Sequence, residues 1–329
     1  MSTTPIRWGI LATGNIARKF ALGLAELPDA ELVAVGSRRQ AAAEAFGAEF
    51  NVAHCHGSYE ELAANPEVDA IYVATPHPYH LDNALLCLEH GKAVLCEKPM
   101  AVNALEVEQM VAKAREKQVF LMEAMWTRHL PVWRAIRTWL AEGLIGDIRL
   151  LTAEFSFLSS TRDPADRKFN PALAGGALLD VGIYPVALAY DLFRADPEAV
   201  RSLHQAFSTG VDEQSAYLFR YPNGAMAVLS SGFAAHGAKE AVIAGTKGTI
   251  RIPLFWKAQE VIVELTDQAP VRHEFPYAAT GLQHQAVSMM AALRAGKLEC
   301  EEMSWEMSLQ LARMMDRLRT EWGLVYPGE

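Results

Sequence analysis

The first third of the chain constrains its fold most, because short apolar runs alternate there with stretches of helical period. Residues 6–12 (IRWGILA), 31–37 (ELVAVGS), 69–76 (DAIYVATP), 92–99 (KAVLCEKP) and 119–126 (VFLMEAMW) are all of strand length and mostly apolar. Helical patterns fill 15–27, 40–50, 79–90 and 103–117, and Ser58 with Glu61 in GSYEEL has the spacing of a capping box. Strands buried on both faces and joined by helices imply right-handed crossovers and a doubly wound parallel sheet. Ligands bind such sheets beyond the carboxyl ends of the strands.

The rhythm changes after about residue 126. A helical stretch at 131–142 leads into GDIRLLTAEFSF, and alternating runs follow, with Pro222-Asn223-Gly224 as the turn inside SAYLFRYPNGAMAVLSSGF. EAVIAGTKGTIRIP and QEVIVELTD continue the strands before helices near 281–295 and 304–322. The expectation is an α/β chain: a Rossmann domain over 1–125, and an α+β domain with an open, largely antiparallel sheet over 126–329. A length of 329 residues suits two domains. The net charge of −9 disfavours nucleic acid or an anionic membrane as partner. No window approaches the ~18 uninterrupted apolar residues of a membrane span. The opening MSTTPIRWGI lacks the order of a signal peptide, and Cys55, Cys87, Cys96 and Cys300 show no C-x-x-C spacing. A cytoplasmic location is expected.

Chemistry-bearing residues gather at the predicted strand ends. Ala12-Thr13-Gly14-Asn15-Ile16-Ala17 is the dinucleotide fingerprint with Ala12 in place of its first glycine. Gly14 would let the backbone approach a pyrophosphate held at the helix N-terminus. The second strand ends in Ser37-Arg38-Arg39 where an NAD site usually carries a carboxylate. Arginine suits a 2′-phosphate, so NADP is expected in preference to NAD. Thr75, Pro76, His77 and His80 follow the next strand; positioning the nicotinamide ribose or capping a helix suits this pair of histidines better than binding a metal. His54 and His56 also lack a third ligand at a telling spacing, and no metal site is expected.

Lys98 ends a buried run beside Glu97. On local sequence it is either half of a rim ion pair or an ammonium that polarises a substrate hydroxyl. Asp180 and Tyr184, in GGALLDVGIYPVALAYDLF, are four apart on one predicted helix face. They read either as a surface carboxylate and a core tyrosine, or as an orienting group and a phenol acting as acid or base. The latter needs a cation to lower a pKa of about 10.

Together WGILATGNIA, GSYEELA, GKAVLCEKP, VFLMEAMWTRHLP and GGALLDVGIY resemble the Gfo/Idh/MocA oxidoreductase superfamily, most of all its dihydrodiol and NADP-dependent D-xylose dehydrogenase branch. The resemblance spans nearly the whole chain. It implies that Lys98 is the catalytic lysine, that Tyr184 stands where many members carry histidine, and that Asp180 is the aspartate of the same motif. It also implies that Trp126, Arg128 and Phe155 line the substrate pocket. The implied reaction is reversible hydride transfer between nicotinamide and a secondary or anomeric alcohol of a sugar, polyol or cyclic trans-diol. Tyr184 takes the hydroxyl proton, while Lys98 lowers its pKa and holds the substrate oxygen. A homodimer or homotetramer through the C-terminal sheet is implied too. Two rivals share the fold: a nucleotide-sensing binding protein, and an NAD-dependent glycoside hydrolase. Retention of both Lys98 and Tyr184 speaks against the first, and Arg38 with the tyrosine variant leans away from the second.

Overall fold

The computed structural model describes residues 4–329. They form two units. The first takes in the chain up to His129 together with Tyr277–Ala312; the second comprises Leu130–Pro276 and Arg313–Glu329.

The first unit opens with strand β1 (Ile6–Leu11), helix α1 (Asn15–Leu24), β2 (Ala30–Gly36), α2 (Gln40–Phe50), β3 (His54–His56) and α3 (Tyr59–Ala64). It continues with β4 (Ala70–Val73), α4 (His80–Glu89), β5 (Ala93–Glu97), α5 (Ala104–Lys117) and β6 (Leu121–Ala124). The six strands are parallel, in the order β3-β2-β1-β4-β5-β6, so the order reverses between β1 and β4. That reversal opens the crevice in which doubly wound sheets bind nucleotides. The capping box forms at α3, where the Ser58 hydroxyl accepts from the Glu61 N–H at 3.2 Å. The Glu61 carboxylate reaches back to the Gly57 N–H, also 3.2 Å. The sequence HCH, weighed above as a metal pair, is edge strand β3: His54 pairs with Glu67 at 2.8 Å and His56 with the Asn65 amide at 3.1 Å. An aromatic column ties the centre together. Trp8 of β1 meets Phe20 of α1 edge-on at 5.4 Å, and Phe20 stacks on Tyr72 of β4 at 3.9 Å.

The second unit carries α6 (Pro131–Ala141), β7 (Ile148–Ser156), α7 (Ile183–Phe193), β8 (Ala199–Ala206), β9 (Asp212–Arg220) and β10 (Met226–Gly232). Then come β11 (Glu240–Gly245), β12 (Gly248–Pro253), β13 (Glu260–Leu265) and β14 (Val271–Glu274). Its eight-stranded sheet runs β14-β13-β12-β11-β7-β10-β9-β8, antiparallel except where β10 lies parallel to β7. The expected turn at Pro222-Asn223-Gly224 joins β9 to β10, with Asn223 Oδ1 accepting from the Ala225 N–H at 3.0 Å. Burial alternates strictly along most of β9. One face of the sheet packs on α7, and the other leaves Leu150, Leu218, Met226 and Val228 exposed. That open face is the one expected to join copies of the chain. A cavity of about 330 Å³ lies there, among Glu154, Ser156, Gln214 and Ser230. Side chains alternate along a strand, so it sits on the opposite side of β7 from Phe155. The stretch Pro171–Phe193 is long and apolar enough to cross a bilayer, but 83% of its most apolar window is buried in the protein, which makes it a core helix.

After β14 the chain returns to the first unit. Helix α8 (Gln283–Arg294) is fastened there by Arg294 to Asp29 at 2.6 Å, and Thr280, just before it, donates to the Lys19 carbonyl at 2.9 Å. Helix α9 (Trp305–Trp322) follows, its Trp305 indole donating to the Leu121 carbonyl at 2.9 Å. A division at residue 125 into two continuous segments therefore misses an excursion. The first break lies at 129/130, and 277–312 belong with the nucleotide-type sheet.

The turn from β1 into α1 passes through Ala12 at φ +92°, where its N–H donates to the Gly36 carbonyl at 2.9 Å. An L-residue there carries a steric cost of roughly 1–2 kcal/mol that glycine lacks. Ala12→Gly is expected to leave the thermal midpoint unchanged or raise it, the relief offsetting the greater freedom of glycine in the unfolded chain. Ala12→Val is expected to destabilise by on the order of 2 kcal/mol. Thermal denaturation of the pair checks this; a lower midpoint for the glycine variant would remove the strain argument.

Candidate active site

In the first unit the predicted cofactor residues assemble at the carboxyl ends of β1, β2, β4 and β5. Gly14 precedes α1 with extended backbone, and a Cβ built on it would meet nothing within 4 Å. Protein packing thus does not demand glycine; a ligand approaching the backbone would. The N-terminus of α1 has no side-chain cap and no acidic residue in its first turn, so its N–H groups and dipole remain suited to an anion. Sequence reading overlooked Arg18, which donates to the Thr13 carbonyl at 2.5 Å and pairs with Glu49 at 2.9 Å, pinning the loop from below. Ser37 is buried after β2, while Arg38 and Arg39 stand exposed. The Tyr59 phenol, pushed up by burial, is drawn back by the charge of Arg38 and a hydrogen bond to it. These residues fit a nicotinamide dinucleotide.

Beyond β4, Thr75 is buried and Pro76 exposed, and His77 is half-buried in a short 3-10 turn, His77–Tyr79. His80 differs from expectation. It is 0% exposed, with Nδ1 2.8 Å from the Pro99 carbonyl and Nε2 2.7 Å from that of Thr75. Burial holds the ring below the usual histidine pKa. Its nitrogens face two backbone loops, so His80 braces the ends of β4 and β5. The helical spacing that set it beside His77 gave no sign of this burial.

Lys98 is half-buried directly after β5, and the Lys98–Pro99 peptide is cis. Beneath it Glu97 is buried, accepting from the Tyr72 hydroxyl and from the Lys98 N–H, the latter at 3.2 Å. A second carboxyl, Glu123 of β6, is 2% exposed and accepts from the Met100 N–H at 3.0 Å. Burial pushes Glu123 up to about 7, with Glu97 adding to the rise and Ser308, the Met100 N–H and Arg128 opposing it. Arg128, expected in the substrate pocket, is only 5% exposed, and its Nε donates to the Glu302 carbonyl at 2.6 Å. That hydrogen bond ties Arg128 to the 299–304 segment. Trp126 opens the 3-10 turn Trp126–His129 and stays half-buried. A Cβ on Gly281 would lie 3.0 Å from its ring, so glycine there permits the contact.

In the second unit Asp180 falls within a π-helical turn, Leu178–Gly182, that feeds directly into α7 and Tyr184. Such turns recur at functional sites, and this one replaces the regular α spacing assumed from sequence. Arg167 donates to Asp180 at 3.1 Å, a partner the motif did not disclose. Tyr184, 8% exposed, has its ring 5.5 Å from that of Phe155, which in turn stacks on Trp256 at 4.0 Å. Trp256 lies about a hundred residues from Phe155 in sequence, and only the register of β7, β11 and β12 brings its turn close. The arrangement offers a phenol beside a flat aromatic wall. Among the described residues, no group of three or more His, Cys, Asp or Glu is placed to hold a metal ion.

The raised value of Glu123 predicts a pH signature. A carboxyl whose folded pKa exceeds its ordinary value near 4.5 favours the folded state while protonated, and that contribution is lost as pH rises from the mid-4s through about 7. Glu123→Gln is therefore expected to exceed the wild type in stability near pH 8, by at most about 3 kcal/mol, and to match it near pH 4.5. Denaturant unfolding across that range checks the sign. A gap that is constant with pH would mean the carboxyl titrates normally.

Residues 6–125 match the family described as oxidoreductase family, NAD-binding Rossmann fold, and residues 133–251 match the GFO/IDH/MocA C-terminal domain. The chain is 39% identical over 335 residues to trans-1,2-dihydrobenzene-1,2-diol dehydrogenase of Mus musculus, covering 98% of each chain. It is 36% identical over 332 residues to the Homo sapiens enzyme of that name, again with 98% of each covered. Among solved structures it superposes on KijD10, a 3-ketoreductase from Actinomadura kijaniata in complex with NADP and TDP-benzene. That match has a TM-score of 0.83 and 28% identity, covering 96% of this chain and 98% of the other. Aldose-aldose oxidoreductase from Caulobacter crescentus shares the fold with a TM-score of 0.88 at 23% identity, covering 97% and 98%. The strand order, the fingerprint loop and the full-length identity agree: this chain belongs to the Gfo/Idh/MocA family of NAD(P)-dependent oxidoreductases.

Proposed function

We propose that the chain is an NADP-dependent dehydrogenase of cyclic alcohols, acting on a trans-diol of a six-membered ring or on a sugar of similar shape. The observation that carries the reading is Tyr184, set on its helix against Phe155 with Trp256 stacked behind. A flat apolar wall beside a hydroxyl suits a ring that presents one carbinol group. The named activity of the relatives at 36–39% identity supports the same substrate class.

In this reading the bound nicotinamide supplies the hydride acceptor or donor. Tyr184 accepts the proton of the substrate hydroxyl in oxidation and returns it in reduction. Asp180 is held by Arg167 in the turn before Tyr184 and orients that end of the helix. Lys98, whose backbone is fixed by Glu97, donates to the substrate oxygen and favours its alkoxide form. Arg38 and Arg39 would hold the 2′-phosphate beyond β2, where their exposure leaves the guanidinium donors accessible.

Nicotinamide absorbance with NADP+ and NAD+ against trans-dihydrodiols, D-xylose, D-glucose and inositol tests the reading directly, and silence with every pair would overturn it. Two variants test its parts. Arg38→Ala is expected to raise the KM for NADP+ by roughly 10–100-fold, the worth of a charge-assisted hydrogen bond, while leaving that for NAD+ nearly unchanged. An equal loss with both cofactors would assign Arg38 to folding. Tyr184→Phe is expected to lower kcat by about 100-fold or more with NADPH affinity retained; unaltered turnover would take the tyrosine out of proton transfer.

A further inference from the structure

The helix that carries Asp180 and Tyr184 needs acceptors for the N–H groups of its first turn, and nothing in its own sequence supplies them. Ala177 precedes the π turn with no side-chain cap, and Gly175 and Gly176 have no side chain to offer. The acceptor comes from the first residue of β9. Asp212 is 0% exposed, and its Oδ2 accepts from the Leu178 N–H at 2.7 Å. Gly176 is shaped to admit it: its φ is +120°, and a Cβ there would fall 2.3 Å from Asp212 Oδ1.

A second fastening lies alongside. The Tyr326 hydroxyl, also buried, donates to the Gly175 carbonyl at 2.5 Å, and the Tyr326 N–H donates to Glu329 at 2.8 Å. Arg319 pairs with that Glu329 at 2.7 Å and lies over the Tyr326 ring at 4.9 Å. At the other end of the turn Gly182 lies against the sheet, where a Cβ would come 2.5 Å from Tyr217 Oη and 2.8 Å from Ser231 Oγ. The π turn is thus pinned before Leu178 and at Gly182, with Asp180 between the pins.

We propose that Asp212 is a positioning residue for the acid–base helix: its buried carboxylate fixes where the π turn begins, and so where Tyr184 and Asp180 stand. Burial raises its pKa to about 7 against the pull of the Leu178, Asp212 and Ala177 N–H groups and the charge of Arg319. A carboxylate is a costly cap at a fully buried site, where serine or asparagine would serve local stability at lower cost. That it reaches in from β9, with Gly176 leaving room for it, points to the geometry its side-chain acceptor imposes. The inference rests on Tyr184 being the acid–base group.

The test compares full-length Asp212→Ala, Asp212→Asn and Tyr326→Phe with the wild type. The readouts are steady-state kinetics, NADPH binding by fluorescence and hydrogen exchange of amides 177–184. Asp212→Ala is expected to lower kcat at least about ten-fold and speed exchange in that segment, with NADPH affinity unchanged within about two-fold. Asparagine keeps an acceptor for the Leu178 N–H and is expected to recover most of the kcat. Tyr326→Phe, which leaves Asp212 in place, is expected to show a smaller loss in the same segment. Wild-type kcat in Asp212→Ala, or equal loss in both Asp212 variants, would overturn the proposal. Should Asp212→Ala not fold, Tyr326→Phe decides: faster exchange at 177–184 with unaltered kcat would overturn it. If the wild type turns over no substrate, the proposed function fails, and exchange in Asp212→Asn alone decides whether the turn depends on this carboxylate.

Discussion

A carboxylate at the end of a fully buried strand is admissible only if something donates to it, and Glu97 is answered by the Tyr72 hydroxyl. Much of the first unit follows from that hydrogen bond. Tyr72 is on β4, so the bond sets the end of β5 level with its neighbour. Its ring is held by Phe20 of α1, which is held in turn by Trp8 of β1. The strand on which the fingerprint begins, the helix that presents the phosphate end, and the strand that delivers Lys98 are therefore in one packed column. The alternative of leaving Glu97 unpaired would cost several kcal/mol, a large share of what holds any domain together.

The second unit solves a different problem. Its sheet has to offer one face to a core helix and keep the other open, and strict alternation along β9 from Glu213 to Arg220 does this. Phe155 emerges on the helix side and meets Tyr184; Glu154 and Ser156 emerge on the other and line the outer cavity. A one-residue slip of β7 would exchange these roles. The pairing with β10 and β11, which extends along nearly its whole length, guards against that slip.

The alternation of strands and helices, the turn at Pro222–Gly224 and the capping box were legible because each is a local pattern. So were the fingerprint, the arginines after β2 and the Lys98 strand end, because a doubly wound sheet fixes where strand ends go. What stayed hidden depends on distant residues. Arg167 reaches Asp180, and Trp256 reaches Phe155, through sheet register alone. The return of 277–312 rests on contacts such as Arg294 with Asp29, which have no local signature. Arg128 and His80 stand in strong motifs, and their structural contacts are not part of the pattern. Arg128 Nε and both His80 nitrogens face backbone carbonyls, which no spacing rule reveals.

Both units hold their proposed functional segments by the same device. A buried carboxyl accepts from a backbone N–H of the segment proposed to bear the chemistry: Glu123 from Met100, two residues past Lys98, and Asp212 from Leu178, two residues before Asp180. Each is raised to about 7 by burial. A side-chain acceptor that reaches in from another strand fixes a loop to the sheet more firmly than a cap within the loop itself, because it ties the loop to a strand whose register is already set. The cost is a carboxyl with reduced hydration, and glycine or a tight turn must leave room for it. Gly176 provides that room in the second unit, and the sharp turn at Lys98–Met100 brings the Met100 N–H down onto Glu123 in the first. The segments that lead to Lys98 and to Tyr184 are thus held in the same way, in each case by a carboxyl on a strand outside the motif.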